Sequence, residues 1–342
     1  MLSVSLFLEG KDLEDLNHTF IFITRQRCLF LNHSQIFNEG EALERKIENI
    51  LNILDPYNID AVDYIAWSKL LTPSDLPKLT AYCKEVGPLA LATPSQEEIK
   101  LYDNLEKRLI TLAEEAYISG VRLFIDAEHL KFQPAIDNLV FNLQQKYNAK
   151  EKTDIPIVFS TYQCYLKDTP QRMVTDLERA KRYSYHFAAK LVRGAYMIHE
   201  KERAKLLGYS SPIHDTIGDT HACYDEAVEY LLRYQSQNNV KLEIMCATHN
   251  QASIEKAIIL MNELHIQESS NTVHFAQLYG MSDNLTYTLG KNGFRAYKYL
   301  PYGLVHEVMP YLMRRAQENR GMLDGGSKEI DLLYREFRRR LV

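Results

Sequence analysis

The sequence lacks the features that mark several common classes of protein. No apolar run approaches the ~20 residues that a helix needs to cross a bilayer, and none of the five cysteines falls in a Cys-x-x-Cys pair. The net charge is only -5 at pH 7, with basic residues spread among acidic ones. These absences argue against a spanning protein, against a disulfide framework or zinc-stabilised fold, and against nucleic acid as a partner. We interpret the cysteines as reduced thiols in a reducing compartment.

Two catalytic motifs and a targeting signal are absent as well. The Gly-x-Gly-x-x-Gly turn of an open dinucleotide-binding sheet does not occur. The run HEKER, which begins at His199, lacks the second histidine of a His-Glu-x-x-His zinc helix, so we predict no metal site. The N-terminal stretch MLSVSLFLEGKDLEDL has no basic leader and no small-residue cleavage site, so it predicts neither a signal peptide nor a transit peptide.

What the chain does contain is a repeat of strands and helices from about residue 120 onward. Short β-rich runs alternate with amphipathic helical stretches, separated by turn residues. The predicted strands are Val121–Asp126, Ile157–Ser160, Ala189–Val192, Leu242–Ala247, Val273–Gln277 and Ala296–Leu300. The predicted helices between them are Ala135–Tyr147, Pro170–Tyr183, His221–Gln235 and Ser253–Leu264.

This alternation predicts a parallel sheet covered by helices, either open or closed as a (β/α)8 barrel. Polar residues cluster after nearly every predicted strand, where a barrel has its active site, so the pattern favours a barrel. Residues 1–120 are less regular, with a strand at Ser3–Leu8, helices near Asp12–Leu31 and Glu41–Leu54, a link at Leu71–Lys78 and a long helix from Ser95 to Ser119. We therefore divide the chain into an N-terminal part, 1–120, with a mostly helical insertion, and the repeats of 121–342. Seven strands are counted, and an eighth is unaccounted for.

The segment YLPYGLVHEVMPYLMRRAQEN, at 299–319, is the most informative for chemistry. A helix starting near His306, with Pro310 in its first turn, places Tyr311, Arg314 or Arg315 and Glu318 on one face. An arginine pair is usually solvated, but guanidinium groups also bind a carboxylate in bidentate geometry. On these residues alone both interpretations stay open.

Three other segments after strands are ambiguous by themselves. KLVRGAY, at Lys190–Tyr196, ends a strand in Arg-Gly, which lets the backbone approach a ligand closely while a basic group points toward it. ATHN, at Ala247–Asn250, and FAQLYGM, at Phe275–Met281, also follow strands. Each is equally well explained as a strand followed by a turn.

Taken together, these segments resemble the proline dehydrogenase family, especially its animal-type mitochondrial members. DAE at Asp126–Glu128, TYQCYLKD at Thr161–Asp168, KLVRGAY, ATHN, FAQLYGM and the C-terminal segment occur in the family's order. The resemblance runs from about residue 60 to residue 335. It implies a distorted (β/α)8 barrel whose last helix lies over the barrel mouth.

The resemblance also implies the substrate site. Arg314 and Arg315 would hold the carboxylate of L-proline, with Glu318 pairing an arginine to orient it. Three side chains would pack around the pyrrolidine ring, and Asp126 would support the polar network beneath the substrate. The three are Tyr299, Tyr311 and Leu278.

The cofactor implied by the resemblance is FAD, reduced by a hydride from proline, which becomes 1-pyrroline-5-carboxylate. The positions that match family contacts to FAD are Ala127, Gln163, Lys190, Arg193, Gly194, Ala195, Thr248 and His249, with Lys190 nearest the reacting ring nitrogen. A quinone would take the electrons. Location on the matrix side of the mitochondrial inner membrane and peripheral association with it are implied in the same way.

The sequence departs from the family at its N-terminal end. The family's first strand and helix have no counterpart here, and the second-strand position falls at Ser3–Leu6, where the family's substrate-binding lysine is missing. We therefore expect an N-terminally truncated, incomplete barrel. Two alternatives follow: hydroxyproline dehydrogenase, against which Tyr299 argues, and a catalytically inactive truncated relative.

Overall fold

The computed structural model describes residues 2–4, 74, 77, 93–318 and 334–341, with the backbone alone at 2–4, 307 and 314–318. Its residues fall into two compact units, Met1–Thr161 with Arg179–Phe187, and Tyr162–Glu178 with Ala188–Val342. The predicted division at residue 120 stays a prediction. The helices predicted at Asp12–Leu31 and Glu41–Leu54, and most of the Leu71–Lys78 link, lie outside the described residues.

Helix α1, Gln96–Ile118, begins at a capping box. The Ser95 hydroxyl accepts from the Glu98 backbone N–H at 3.2 Å, and the Glu98 carboxylate accepts from the Ser95 N–H at 2.6 Å. These bonds satisfy two of the N–H groups that a helix start leaves without partners. The buried side chains recur every three or four residues along one face, which is why this stretch forms an amphipathic helix. They are Ile99, Tyr102, Leu105, Leu109, Ala113 and Ala116.

In the first unit, strands β1 (Leu2–Val4), β2 (Leu123–Ile125) and β3 (Val158–Gln163) follow one another in the sheet, and β1–β2 and β2–β3 are parallel. Helix α2, Gln133–Tyr147, connects β2 to β3. Asn148, which is 0% exposed, fixes the start of β3, because its side-chain oxygen accepts from the N–H groups of Ile157 and Val158, both at 2.8 Å. Tertiary hydrogen bonds of this kind decide where β3 begins.

In the second unit four further strands follow one another in the sheet in chain order, and the second of them pairs in parallel with the third and the third with the fourth. The remaining strands are β4 (Phe187–Val192), β5 (Leu242–Ala247), β6 (Val273–Leu278) and β7 (Ala296–Tyr299). The remaining helices are α3 (Thr169–Arg182), α4 (Met197–Leu207), α5 (Ile217–Asn238), α6 (Gln251–Glu263), α7 (Asp283–Lys291) and α8 (Val305–Glu318).

The repeat of strands and helices predicted from the sequence is confirmed. All six strands predicted after residue 120 are present, and β5 has the predicted bounds. In the part of the chain that the structure describes, the sheet has seven strands, the number counted from the sequence. The fold class, a barrel-type arrangement of strands and helices, therefore holds.

Two local predictions need correction. Helices α4 and α7 were not predicted; on α4 the apolar Met197, Ile198, Leu206 and Leu207 are exposed, so apolar periodicity does not reveal this helix. Helix α8 begins at Val305, one residue from the expected start, but Pro310 lies inside the helix and not in its first turn. The first intrahelical bond, from the Val308 N–H to the Leu304 carbonyl, precedes the proline, so the helix is already established where the proline ring fixes φ.

Candidate active site

In the second unit the segments that follow neighbouring strands are hydrogen-bonded to one another. The N–H of Cys164, just after β3, donates to the carbonyl of Val192 at the end of β4 at 2.8 Å. Beyond β5, the Thr248 N–H donates to the Ala276 carbonyl of β6 at 3.1 Å, and the Tyr279 N–H donates to the Tyr299 carbonyl of β7 at 3.0 Å. The carboxyl ends of these strands therefore form one continuous polar edge, as parallel pairing requires.

Arg193 is the most extensively bonded cation at this edge. Its Nε donates to His221 Nδ1 at 2.8 Å, its Nη1 to the Thr248 hydroxyl at 2.6 Å and its Nη2 to the Ser253 hydroxyl at 2.8 Å. Its guanidinium carbon lies 4.3 Å from the ring centroid of the buried Tyr224. Arg193 stays partly exposed. Three acceptors and an aromatic face hold the guanidinium in one orientation.

The acceptors around Arg193 are all neutral groups. The nearest acid in this network is Asp225, which accepts from the Ser253 hydroxyl at 2.5 Å and forms an ion pair with Lys256 at 2.6 Å. The carboxylate of Asp225 is thus compensated by Lys256, and among the described residues no carboxylate pairs directly with Arg193. The positive charge of Arg193 remains available to an anionic group.

Gly194, next in the chain, cannot carry a side chain. Its φ is +127°, and a Cβ built on its backbone would lie 1.8 Å from ring carbons of Tyr165. Tyr165 is 3% exposed, and burial raises the pKa of its phenol, so that the ring stays neutral against the backbone. Gly194 itself is exposed, which leaves bare backbone open on its outer side.

Thr248 and His249, after β5, are tied to β6 and the loop that follows it. The Gln277 side-chain amide donates to the Thr248 carbonyl at 3.2 Å. His249 Nε2 lies 3.4 Å from the Leu278 N–H, and its Nδ1 lies 3.1 Å from the Ser282 hydroxyl. An acceptor role for Nε2 places the imidazole proton on Nδ1, which then donates to Ser282. Burial, and secondarily the charge of Lys298, lower the pKa of His249, which favours this neutral form.

The structure brings together the two aromatic side chains predicted to surround the substrate ring. Tyr299 ends β7 and Tyr311 lies on α8, and their ring centroids are 5.8 Å apart at 42°. Leu278 ends β6 in register with Tyr299. Arg314, Arg315 and Glu318 lie on the predicted helix, but their side chains are outside what the structure describes.

The remaining predicted residues are distributed as follows. Gln163 is buried at the end of β3, Lys190 is partly exposed within β4, and Ala195 is exposed after it. Asp126 and Ala127 follow β2 in the first unit, where the Thr161 hydroxyl donates to the Ile125 carbonyl at 2.7 Å. All of them except Lys190, which lies inside β4, follow or end a strand, and the ligand roles of all the predicted residues stay predictions.

Sequence reasoning missed the partners that hold these residues. His221, Ser253 and Lys298 were not singled out, although Ser253 follows ATHN by three positions. The Lys298 ammonium pairs with Asp283 at 2.7 Å and donates to the Met281 carbonyl at 2.6 Å, which fixes the loop after β6. His221 carried no signal, because a single polar residue near a helix start is ordinary. The three described cysteines, Cys164, Cys223 and Cys246, are free, as predicted.

Comparison with known proteins identifies the family. The family model described as proline dehydrogenase matches residues 38–326. The chain is 39% identical over 285 residues to the human protein named proline dehydrogenase 1, mitochondrial, covering 82% of this chain and 46% of that protein. For the Drosophila melanogaster protein of the same name the identity is 45% over 255 residues, covering 73% and 37%. The chain thus spans less than half the length of these relatives.

A second group of relatives and a solved structure extend the comparison. The hydroxyproline dehydrogenase of Xenopus laevis is 38% identical over 269 residues, covering 79% of this chain and 57% of that protein. Among solved structures, proline utilization A from Bdellovibrio bacteriovorus, inactivated by N-propargylglycine, aligns with a TM-score of 0.55 at 25% identity, covering 64% of this chain and 22% of that one. The match to a family model over most of the chain, the relatives and the shared fold agree: the chain belongs to the proline dehydrogenase family.

Proposed function

We propose that the protein oxidises L-proline to 1-pyrroline-5-carboxylate, with FAD as its cofactor and a quinone as the final electron acceptor. Family membership supports the reaction type. The observation that carries the proposal is the pair Arg193–Gly194, an oriented cation that no carboxylate of the described residues pairs, beside backbone that admits no side chain.

The residues at the strand ends fit a flavin nucleotide. A large planar cofactor with an anionic phosphate part needs positive charge, close backbone approach and polar side chains that orient it. Arg193 supplies the positive charge, and Gly194 and Ala195 allow the close backbone approach. The orienting polar side chains are those of Gln163, Thr248 and His249. We assign Lys190 to the reacting part of the ring, where a cation stabilises negative charge that develops on reduction. By the family resemblance we add Ala127 to the proposed cofactor set, and we assign Asp126 to the polar network beneath the substrate.

A bound flavin would supply the redox chemistry by accepting a hydride from the proline ring carbon next to nitrogen. The chain's own groups bind and orient the amino acid. Arg314 and Arg315 hold its carboxylate, with Glu318 orienting one of them, because guanidinium groups match carboxylates in bidentate geometry. Tyr299, Tyr311 and Leu278 present apolar surface to the ring.

Proline is preferred over hydroxyproline in this proposal because of Tyr299. A tyrosine at the end of β7, packed against Tyr311, forms a wall that an added hydroxyl would meet. Hydroxyproline dehydrogenases are relatives too, but nothing in the described site favours a hydroxylated substrate over proline.

The relatives named mitochondrial support a location in the mitochondrion. Transfer of electrons to a quinone requires access to a membrane-dissolved acceptor, and we propose peripheral association with the inner membrane for that reason. No helix among the described residues is long and apolar enough to cross a membrane.

The purified chain tests the proposal directly. We expect a yellow protein with the absorption spectrum of bound flavin that is bleached anaerobically by L-proline and regains its colour when a soluble quinone is added. A colourless protein that takes up no FAD on reconstitution would instead identify the chain as an inactive relative. A yellow protein bleached by hydroxyproline and not by proline would establish the other substrate.

A further inference from the structure

His221 is the partner of Arg193 that can change its state near neutral pH. It lies near the start of α5, and its Nδ1 accepts the hydrogen bond from Arg193 Nε at 2.8 Å. An imidazole nitrogen accepts only when it carries no proton, so the contact exists in the neutral form alone. The other two acceptors, the hydroxyls of Thr248 and Ser253, do not titrate in the range where proteins are stable.

Among the residues that the structure describes, three charged groups face His221 from the elements around it. Arg193 approaches from the end of β4, Asp225 lies one turn further along α5, and Lys256 extends from α6. Burial is the main effect that lowers the pKa of His221, followed by the charge of Arg193; Lys256 acts in the same direction and Asp225 opposes it. At neutral pH the ring is therefore neutral and accepts from Arg193.

Protonation would reverse the contact. A proton on Nδ1 removes the acceptor and places an imidazolium against a guanidinium at hydrogen-bond distance, where like charges repel. Tyr224 beneath the guanidinium and the hydroxyls of Thr248 and Ser253 remain, so Arg193 loses its orientation in the plane and not its position in the fold.

We propose that His221 is a positioning residue that, in its neutral form, aims the Arg193 guanidinium at an anionic group of the flavin cofactor and releases it when protonated. This inference rests on the proposed function and assigns a role to a side chain that does not itself need to touch the cofactor. Its consequence is that cofactor affinity falls as the pH drops below the neutral range.

Two substitutions separate positioning from packing. In His221→Asn the side-chain oxygen lies near the place of Nδ1 and accepts without titrating, whereas His221→Leu fills similar space without an acceptor. His265→Asn is the matched control, because His265 is exposed and has a positive φ of 54° that asparagine tolerates.

The measurement is the dissociation constant for FAD, from quenching of flavin fluorescence, at about pH 8 and about pH 5.5, on either side of the ordinary histidine pKa of about 6.5. We expect the parent and His265→Asn to bind about tenfold more weakly at the lower pH, the size of one lost hydrogen bond to a charged group. His221→Asn should bind FAD as tightly as the parent at high pH, and its affinity should fall much less at low pH. The fall that remains is assigned to protonation of His249. His221→Leu should bind about tenfold more weakly at both values. An undiminished decrease in His221→Asn, or equal weakening of both variants at high pH, would overturn the inference.

A second measurement does not depend on the cofactor. In protein labelled with nitrogen-15 histidine and free of flavin, His221 Nδ1 should show the shift of an unprotonated nitrogen, and Arg193→Met should raise the pKa of His221 toward 6.5. A parent His221 that titrates at or above 6.5 overturns the inference and leaves the proposed function intact. If the parent protein binds no FAD at either pH, the proposed function is overturned, and so is the role of His221 in cofactor binding.

Discussion

The charged residues near the starts of β5 and β6 differ from those beyond their ends in how they are paired. Near their starts, His274 Nε2 lies 3.0 Å from a carboxylate oxygen of Glu243, and the two residues are 0% and 4% exposed. Beyond their ends, Arg193 is partly exposed, and its acceptors in the described part of the chain are all neutral. The first arrangement satisfies an acid inside the protein, and the second leaves a cation available at its edge.

This difference indicates that the starts of the two strands serve stability and their ends serve binding. A buried carboxylate without a partner is costly, so the Glu243–His274 pair contributes to stability by preventing that cost. A cation held by neutral acceptors retains its charge for an anionic ligand. Substitutions near the strand starts should therefore change stability, and those at the strand ends should change binding.

The largest effect is expected from Glu243→Ala. It removes the carboxylate partner of Nε2 in the fully buried His274 and opens a cavity, so the free energy of unfolding should fall by about 3 to 5 kcal/mol. Urea unfolding followed by circular dichroism gives the value. Glu243→Gln retains an acceptor, so its free energy of unfolding should fall less. In both variants the flavin content of the folded fraction should match that of the parent. A loss of under about 1 kcal/mol in Glu243→Ala would mean that the pair does not stabilise the sheet.

Gly194→Ala should have the second-largest effect. It should lower both stability and flavin binding, because the site itself requires an unusual backbone conformation at this residue. The new methyl group would overlap the Tyr165 ring at φ +127°, which should cost about 3 kcal/mol in unfolding free energy and abolish retention of flavin on gel filtration. Gly208→Ala is the control, since Gly208 has a φ of +71° with nothing within 4 Å of an added Cβ. It should cost only about 1 kcal/mol and keep the flavin. Equal losses in the two variants would show that the Tyr165 contact is unimportant.

Arg315→Met tests whether a residue of the proposed substrate site affects substrate binding without affecting stability. Loss of one charge-assisted contact to the proline carboxylate, worth about 1.5 to 3 kcal/mol, should raise KM for proline about 10- to 100-fold. Unfolding free energy and FAD content should not change. Arg340→Met is the control, because the Arg340 side chain is 73% exposed and pairs with a surface acid, Glu336. An unchanged KM would place Arg315 among ordinary solvated residues.

Tyr299→Ser should give the smallest effect, a change of preference. The serine removes apolar contact with proline and opens space beside the ring, so the ratio of kcat/KM for proline to that for hydroxyproline should fall about tenfold. Tyr287→Ser, at a tyrosine that is 73% exposed on α7, should leave the ratio as it is. Steady-state kinetics with both substrates decides between them. If the two variants behave alike, Tyr299 does not select the substrate.

Much of the fold could be predicted from local pattern. Leu242–Ala247 is apolar except for Glu243 and is bounded by polar and turn residues, and it forms β5 with those bounds. Helix α4 escaped prediction because its apolar residues do not collect on a buried face, and Pro310 was misplaced because α8 has a proline beyond its first turn, where the rule for prolines in helices does not expect one. Local pattern records which side chains are buried, and these two elements depart from that rule.

By itself, the sequence determined the order of strands and helices, the polar character of the strand ends and the family motifs that name the candidate residues. Only the tertiary structure decided how those residues are held. Arg193 meets His221, Thr248 and Ser253, which lie 28, 55 and 60 positions further along the chain, and Gly194 is required by the ring of Tyr165. Periodicity is a local property of the chain, whereas hydrogen-bond partners and steric limits are set by segments that meet only when the strands pair.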